Sequence, residues 1–402
     1  MTKFIIRRLL QAIPTFFGIT FLSFMIMVLA PGDPVAIMTF DPTISQEQRA
    51  DMERRLGVND PWPMQYLRWL IGDDWMVVEE LTWYQVRLED GIEGWMSERQ
   101  VAMDEETGEL NLMASRQPYR IAPSETADIG GRIGRRDQME LIGEEVQQVY
   151  GDHYGILRGD FGRSFRYQEN PLKLIGERLP ASIELNLAVL VTSLTIGIFV
   201  GVLAAIRRGG WFDNISRILA VIGDAVPSFW LSFLLILVFA APGLGILPMG
   251  ERCGHVRGGC PPIYERLEYL ILPTVVLALG GVAFWSRYLR ASMLENIGSD
   301  YIRTARAKGL PERIVWFKHA LRNALIPIAT FLGPTIVSLI SGAVIIETIF
   351  AWPGIGRLYI QALTGQDFPL VMASVVIAAV LTIIGYLLSD ILYAVFDPRI
   401  RL

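Results

Sequence analysis

The chain has 402 residues, 52% of them hydrophobic, a mean hydropathy of +0.37 and a formal net charge of −5. That length and apolarity suit a multi-pass membrane protein carrying a water-exposed part. The acidic balance gives no reason to expect a nucleic-acid partner.

Apolar runs of about 20 residues, the length that crosses a hydrocarbon layer of about 30 Å, recur at 9–30, 183–205, 215–240, 269–289, 325–346 and 370–393. The first follows Lys3, Arg7 and Arg8, a pattern shared with secretory signal peptides. Its apolar stretch of about 22 residues exceeds the usual 7 to 15 of such peptides, so a retained span is expected.

Between the first two runs, residues 71–155 hold 19 acidic and 7 basic residues, a net of −12, so the remainder carries +7. The segments 75–88 and 91–103 are rich in β-formers and meet near Asp90-Gly91, a pair suited to a tight hairpin turn. Further on, Asp137 and Glu140 form a capping-box pattern that predicts a helix with Leu141, Ile142, Val146, Val149 and Tyr150 on one side. This insertion reads as a folded decoration, or as a docking surface presenting Trp75, Trp83, Tyr84 and Trp95.

Within the third run, Asp224 precedes Pro227, whose ring removes a helix hydrogen bond. An ionisable residue at such depth faces a cavity or a partner. Asp224 is therefore either a translocation-path residue that meets a positive substrate group, or the partner of a neighbouring helix. Glu184, Glu347 and Asp390 lie near run ends and read as interfacial, while Gly333, Ser338, Ser341, Gly342 and Ala343 permit close helix approach in the fifth run. Cys253 and Cys260 share one short glycine-rich loop. A disulfide, two free thiols, or a metal site completed by His255 all remain open, although no fourth metal ligand is evident.

The segment 300–327, DYIRTARAKGLPERIVWFKHALRNALIP, is polar and strongly basic between two apolar runs. Ile302, Ala305, Ile314, Phe317 and Leu321 recur at roughly helical spacing, and Gly309 with Pro311 breaks the pattern. A helix, a glycine turn and a second helix are predicted. Short loops rich in Lys and Arg stay cytoplasmic. With Arg207, Arg208, Arg399 and Arg401 on the same side, both termini are cytoplasmic and residues 31–180 and 241–268 lie outside.

The wording RTARAKG followed by HALRNALIP resembles the EAA loop of ABC-importer permeases, in particular the peptide/nickel branch. By count from Gly309, which matches the family's turn glycine, Arg303, Thr304 and Ala305 occupy the Glu-Ala-Ala positions. His319, Ala320, Leu321 and Arg322 occupy the closing Ile-x-Leu-Pro, so the family's glutamate and that proline are both absent. The opening IIRRLLQAIPTFFGITFLSFMIMVLAPGDP, the return GDFGRSF before RLPASIELNLAVL, and ETIFAWPGIGRL with DILYAVFDPRIRL are similar to the same family. WYQVRLEDGIEGWMSERQV in the insertion resembles the later strands of bacterial SH3-like domains, which often bind cell-wall or peptide material.

The resemblance implies an all-α, six-span permease of the type I importer fold with a small, mainly β extracytoplasmic insertion: 1–70 the first span and loop, 71–155 the insertion, 156–402 the five-helix remainder. It implies a cytoplasmic (inner) membrane location in a bacterium or archaeon. The implied partners are a homologous second permease, two ATPase subunits and an extracytoplasmic solute-binding protein. ATP and Mg belong to the ATPases, which would grip Arg303, Thr304, Ala305, Gly309, His319 and Arg322. The chain itself has no Gly-Lys dipeptide, so it lacks a Walker A phosphate loop. With three histidines it offers no HExxH zinc pair, no GxSxG elbow is present, and no catalytic residue or metal ligand set is assigned. A secondary transporter or channel working without an ATPase is the alternative reading.

Overall fold

A computed structural model describes residues 2–29, 60–88, 90–103, 110–124, 126–134, 137, 139–151, 153–240, 243–253 and 260–396. The chain divides into two compact units, one of residues 1–34 with 163–402 and one of residues 35–162.

The first unit is helical. Its long elements are α1 (Thr2–Leu29), α3 (Pro171–Ile206), α6 (Leu267–Ile297) and α13 (Phe368–Phe396). The portions Ile6–Leu29, Pro171–Ile206, Leu267–Ile297 and Phe368–Ser389 are long and apolar enough to cross a bilayer. The run expected at 215–240 is instead two helices, α4 (Trp211–Ala225) and α5 (Ser228–Phe239), bent by 100°. The cause is local: a proline pushes the residue before it out of the helical region, and Val226 sits at φ −74°, ψ 121°.

The run expected at 325–346 is also divided. α10 (Ile326–Ser341) stops at Gly342, which adopts φ +74°, and α11 (Val344–Ile349) restarts the helix. Carbonyls freed at the end of α10 are met from α3, where the Asn186 amide donates to Leu339 O at 3.0 Å. Among the described residues, length and composition thus support four spans, or five if the bent pair counts as one.

After α11 a turn leads to α12 (Ile355–Thr364), and this turn is built around Glu347. The carboxylate is fully buried, not interfacial as its place near a run end suggested. Its Oε1 accepts from Ser182 Oγ at 2.8 Å and from the Ala343 N–H at 3.1 Å, and its Oε2 accepts from the Arg357 N–H at 3.0 Å. Ser182 Oγ in turn accepts from the Ile355 N–H at 2.8 Å. A Cβ on Gly354 would lie 2.3 Å from the Glu347 carboxyl carbon, so only glycine lets the chain pass so close. The indole N–H of buried Trp352 donates to Ala181 O at 2.8 Å and completes the tie to α3. A second buried carboxylate, Asp367, opens α13. It accepts from the Ser164 hydroxyl and from the N–H groups of Phe165 at 3.1 Å and Leu370 at 3.3 Å, joining the GDFGRSF return to the last helix.

The second unit holds α2 (Trp62–Ile71) and seven strands: β1 (Val77–Leu88), β2 (Glu93–Ser97), β3 (Val101–Met103), β4 (Leu110–Leu112), β5 (Arg116–Arg120), β6 (Ile129–Gly134) and β7 (Met139–Tyr150). Five form an antiparallel sheet in the order β6-β5-β2-β1-β7, and β3 pairs with β4. The edge strands curl toward one core, where Ile133 of β6 and Met139 and Leu141 of β7 gather with Val86, Met96, Val101 and Tyr119. Strand alternation puts Leu81 and Trp83, both buried, on one side of β1 and buried Val86 on the other, and the register shift at Gln85/Val86 places its extra residue, Ile142, on β7. Trp83 is therefore core, while Trp75 is half exposed.

The helix expected after Asp137 is a strand. Asp137 accepts from the Gly134 N–H at 2.8 Å and closes a turn instead of capping a helix. The following residues pair with β1 from Leu88↔Met139 to Val77↔Tyr150, a long edge that outweighs a local capping pattern.

Entry to and exit from this unit are clasped. Arg158 donates to both Asp74 oxygens at 2.7 Å and to Ile71 O at 2.8 Å, and Asp73 exchanges backbone and side-chain bonds with His153.

Two expectations follow. Glu347→Ala leaves its donors unpaired at about 1 to 3 kcal/mol each, so the purified protein should unfold at a clearly lower temperature, while Glu347→Gln, which keeps an acceptor, falls in between. For the clasp, the Arg158 hydrogen bond and charge hold the Asp74 carboxyl below the ordinary carboxylate range. A group whose pKa is lowered on folding stabilises fully above its unfolded value of about 4 and stops doing so as pH falls below it. Protease cleavage within 71–160 of the intact protein should rise on acidification through that range, and Asp74→Asn should flatten the dependence.

Candidate functional site

The basic segment folds as helix, turn and helix. α7 (Asp300–Ala307) begins after Ser299, and Gly309 turns the chain at φ +73°. Pro311 then leads into α8 (Glu312–Ile314), a π turn at Val315–Ala320 and α9 (Leu321–Ala324). Arg306 spans the turn to Glu312 at 2.7 and 3.2 Å.

One face of this element is apolar and buried. Ile302, Ala305, Val315, Ala320 and Ala324 pack with Trp285, Leu289 and Met293 of α6 and with Val202 and Ala205 of α3. Two polar contacts reinforce the tie to α6: Ser292 Oγ donates to Ala324 O at 3.1 Å, and the Tyr301 hydroxyl donates to Asn296 Oδ1 at 2.7 Å. Helical spacing placed Ile314 and Phe317 on the apolar side, yet they are 39% and 52% exposed. The π turn explains the difference. An extra residue per turn makes Val315 and Ala320, five apart, the inward pair and rotates Ile314 and Phe317 outward.

The outward face therefore mixes cations with apolar side chains. Arg303, Thr304, Arg306, Lys308, Arg313, Lys318 and Arg322 are exposed beside Tyr301, Ile314 and Phe317. Ala305 points inward and His319 is half-buried. Thr304 is turned back on its own helix, its hydroxyl donating to Asp300 O at 3.0 Å, and Arg303 lies 3.3 Å from Asp300. A Cβ at Gly309 meets no described atom within 4 Å, so the residue is required by its backbone angle and not by crowding.

Above this element the helices carry charges, each with a distinct environment. Asp213 is buried and accepts from Arg290 at 2.5 and 2.7 Å and from the Gly209 N–H at 2.9 Å. Asp224 accepts a single bond from Arg287 at 2.8 Å, and both side chains are half exposed. Glu184 accepts from Arg252 and Arg266 at 2.6 and 2.9 Å, with its side chain 7% exposed. Cys253 and Cys260 are joined by a disulfide with Cα atoms 4.8 Å apart, and Arg266 also donates to Cys260 Sγ. His255 lies outside the described residues, and among those described no group of three or more metal-ligating side chains gathers.

The residue pattern therefore marks the basic element and its turn but not the pairing of Asp213 with Arg290 or the depth of Glu347. Asp213 stands near a loop, where an acid is unremarkable without knowledge of Arg290 opposite. In the ETIFAWPGIGRL block the two glycines seven and nine residues beyond Glu347, Gly354 and Gly356, mark the space its carboxylate fills.

Comparison with known proteins agrees with this arrangement. Residues 197–402 match the family described as binding-protein-dependent transport system inner membrane component, and residues 1–79 match its N-terminal companion. The segment 80–196, which holds most of the β unit, falls between the two matches. The oligopeptide transport system permease protein AppB of Bacillus subtilis is 36% identical over the full length of both chains. The dipeptide permease DppB of Escherichia coli K12 is 31% identical over 100% of this chain and 99% of its own, and the oligopeptide permease OppB of Salmonella typhimurium is 32% identical over the whole of both. The chain belongs to the family of binding-protein-dependent transport system inner membrane components, the membrane-spanning permease subunits of ABC importers.

Proposed function

We propose that this chain forms half of the translocation path of an ATP-driven importer for peptides or similar small solutes. A homologous permease supplies the other half, a solute-binding protein delivers the solute from outside, and two ATPase subunits dock on the outward face of residues 300–324. The observation that carries this reading is the division of that element into a buried apolar face fixed to α6 and an exposed face of cations and apolar side chains. Such a surface offers a partner both steering charge and apolar area. The peptide specificity is taken from the named relatives, and it stays at the level of a solute class because one permease architecture serves many solutes.

The lysines and arginines of the short connections support a topology with residues 300–324, the 207–210 loop and both termini on the cytoplasmic side. ATP and Mg act in the partner subunits. ATP binding moves the permease only by its differential affinity for the two states of the ATPase pair. Because the docked face shares its backbone with the face packed on α6, displacement of one is displacement of the other.

Gly309→Asp tests the coupling role. The open space around Gly309 means that the chain's own fold bears only the strain of a left-handed residue, about 1 to 2 kcal/mol, so the variant should insert and assemble normally. Vesicles containing the full complex should nevertheless lose ATP-driven uptake. Wild-type uptake rates in this variant would remove the coupling assignment, and uptake by the isolated wild-type chain without ATP would favour a secondary transporter.

A further inference from the structure

We propose that Asp224 and Arg287 line the translocation path and form a charge-exchange site for a zwitterionic solute, the carboxylate receiving the solute's ammonium group and the guanidinium its carboxylate. This inference rests on the importer reading and adds a solute-recognition site to it.

Depth is the first argument. Gly223, the neighbour of Asp224, packs on Leu279, about 18 Å into α6 and about 27 Å from its other end at 1.5 Å per residue. Helical side chains lean toward the N-terminus, which brings the Arg287 guanidinium back up α6 toward that level. Arg287 itself stands about 30 Å along α6 and about 15 Å from its end, so the pair lies between the level of Leu279 and that of Arg287 on a helix apolar enough to cross the bilayer. Asp224 is 54% exposed there and Arg287 42%. Charges so exposed do not face hydrocarbon, where each costs several kcal/mol. They face water or protein.

Incomplete bonding is the second argument. Asp213 and Arg290, lower on the same two helices, make two mutual bonds, and a backbone N–H adds a third to the carboxylate. Asp224 and Arg287 make one bond, from Nη2 to Oδ2. Among the described residues, the other carboxylate oxygen and the remaining guanidinium N–H groups have no partner. A carboxylate accepts about four hydrogen bonds and a guanidinium donates five in a planar fork that matches a second carboxylate. The first pair is closed and holds helices together; the second keeps capacity for an ammonium on one side and a carboxylate on the other. Phe284, exposed one turn from Arg287, adds an apolar wall beside it.

The exchange involves no covalent change. The solute's two charges replace the single Asp224–Arg287 bond, and that bond re-forms on release, so neither charge is left unpaired. A solute with blocked ends offers no such replacement.

The test uses the complete importer in vesicles with Gly280→Cys or Phe284→Cys, two turns and one turn before Arg287 on α6, which keep both charges, the native cysteines being tied in their disulfide. Each variant is treated with sulfonate-bearing and trimethylammonium-bearing methanethiosulfonates and with lipid-soluble N-phenylmaleimide. Expected is rapid reaction with the charged reagents, slowed about tenfold by L-alanyl-L-alanine in excess but not by N-acetyl-L-alanyl-L-alanine amide, as local charge and occupancy control access in a cleft. Reaction with the lipid-soluble reagent alone means a lipid-facing pair and overturns the proposal. Protection from all reagents means burial against the second permease and overturns it too, as does equal or absent slowing by the two peptides. Uptake by the unmodified complex is measured in parallel: if it does not depend on ATP, the importer reading itself falls, an outcome separate from any labelling result. Since a cysteine variant can fail to assemble, Asp224→Asn and Arg287→Gln are assayed as well; expected is a fall in uptake of about tenfold or more for either, and full uptake with both would overturn the proposal.

Discussion

The structure depends on one packing contact, the burial of Ile302, Ala305, Val315, Ala320 and Ala324 against Leu289 and Met293 of α6. Fully burying one aliphatic side chain of the size of Ile or Val contributes about 1.5 to 3 kcal/mol, so Ile302 and Val315 alone fix the segment firmly. A polar, cationic stretch at the membrane surface would otherwise be a loose loop. Fixed in this way, it becomes an extension of the longest helix that reaches the pair Asp224–Arg287. Force applied to its outer face reaches the helices without any deformable linker between, because Ser292 and Asn296 hydrogen-bond to the same segment from the end of α6.

The second constraint is the cost of charge among apolar helices. Asp213 is closed by Arg290, Glu347 and Asp367 by hydroxyl and backbone donors, and Glu184 is paired through its Oε2 with two arginines. In each case the carboxylate ties segments that are far apart in sequence: α4 to α6, α3 to the disulfide loop, α3 to the α11–α12 turn, and the 164–166 turn to α13. Removing apolar surface from water drives little association between helices in lipid, where the surroundings are equally apolar. Directional polar contacts then decide which helices meet and in what register.

Much of this was legible in the residues. The helix, turn and helix of 300–324 followed from Gly309 and Pro311, since one supplies a positive φ and the other opens the next helix. The bend at Val226 followed from Pro227 in kind but not in size, because a proline sets where a helix breaks and its neighbours set the angle. Two features were hidden. The π turn shifts the phase of the inward face by one residue, and no composition signal marks it. The strand β7 overrode a sound capping pattern because β1 offered a partner along its whole length, and pairing across strands is invisible to a local reading. Glu347 was misjudged for a similar reason, as its partners Ser182 and Arg357 are distant in sequence and its nearer partner, Ala343, acts through its backbone.

Charge also explains why the β unit can be carried without disturbing the helical unit. Its segment holds the whole acidic excess, −12, whereas the rest of the chain is net positive at +7 with arginines in the short connections between apolar runs. Orientation is set by lysines and arginines close to the spans, and acidic residues contribute little to it. An acidic segment between the first two runs therefore leaves the topological signal untouched. Within the β unit both sides of β1 are covered, Leu81 and Trp83 being buried on one and Val86 on the other.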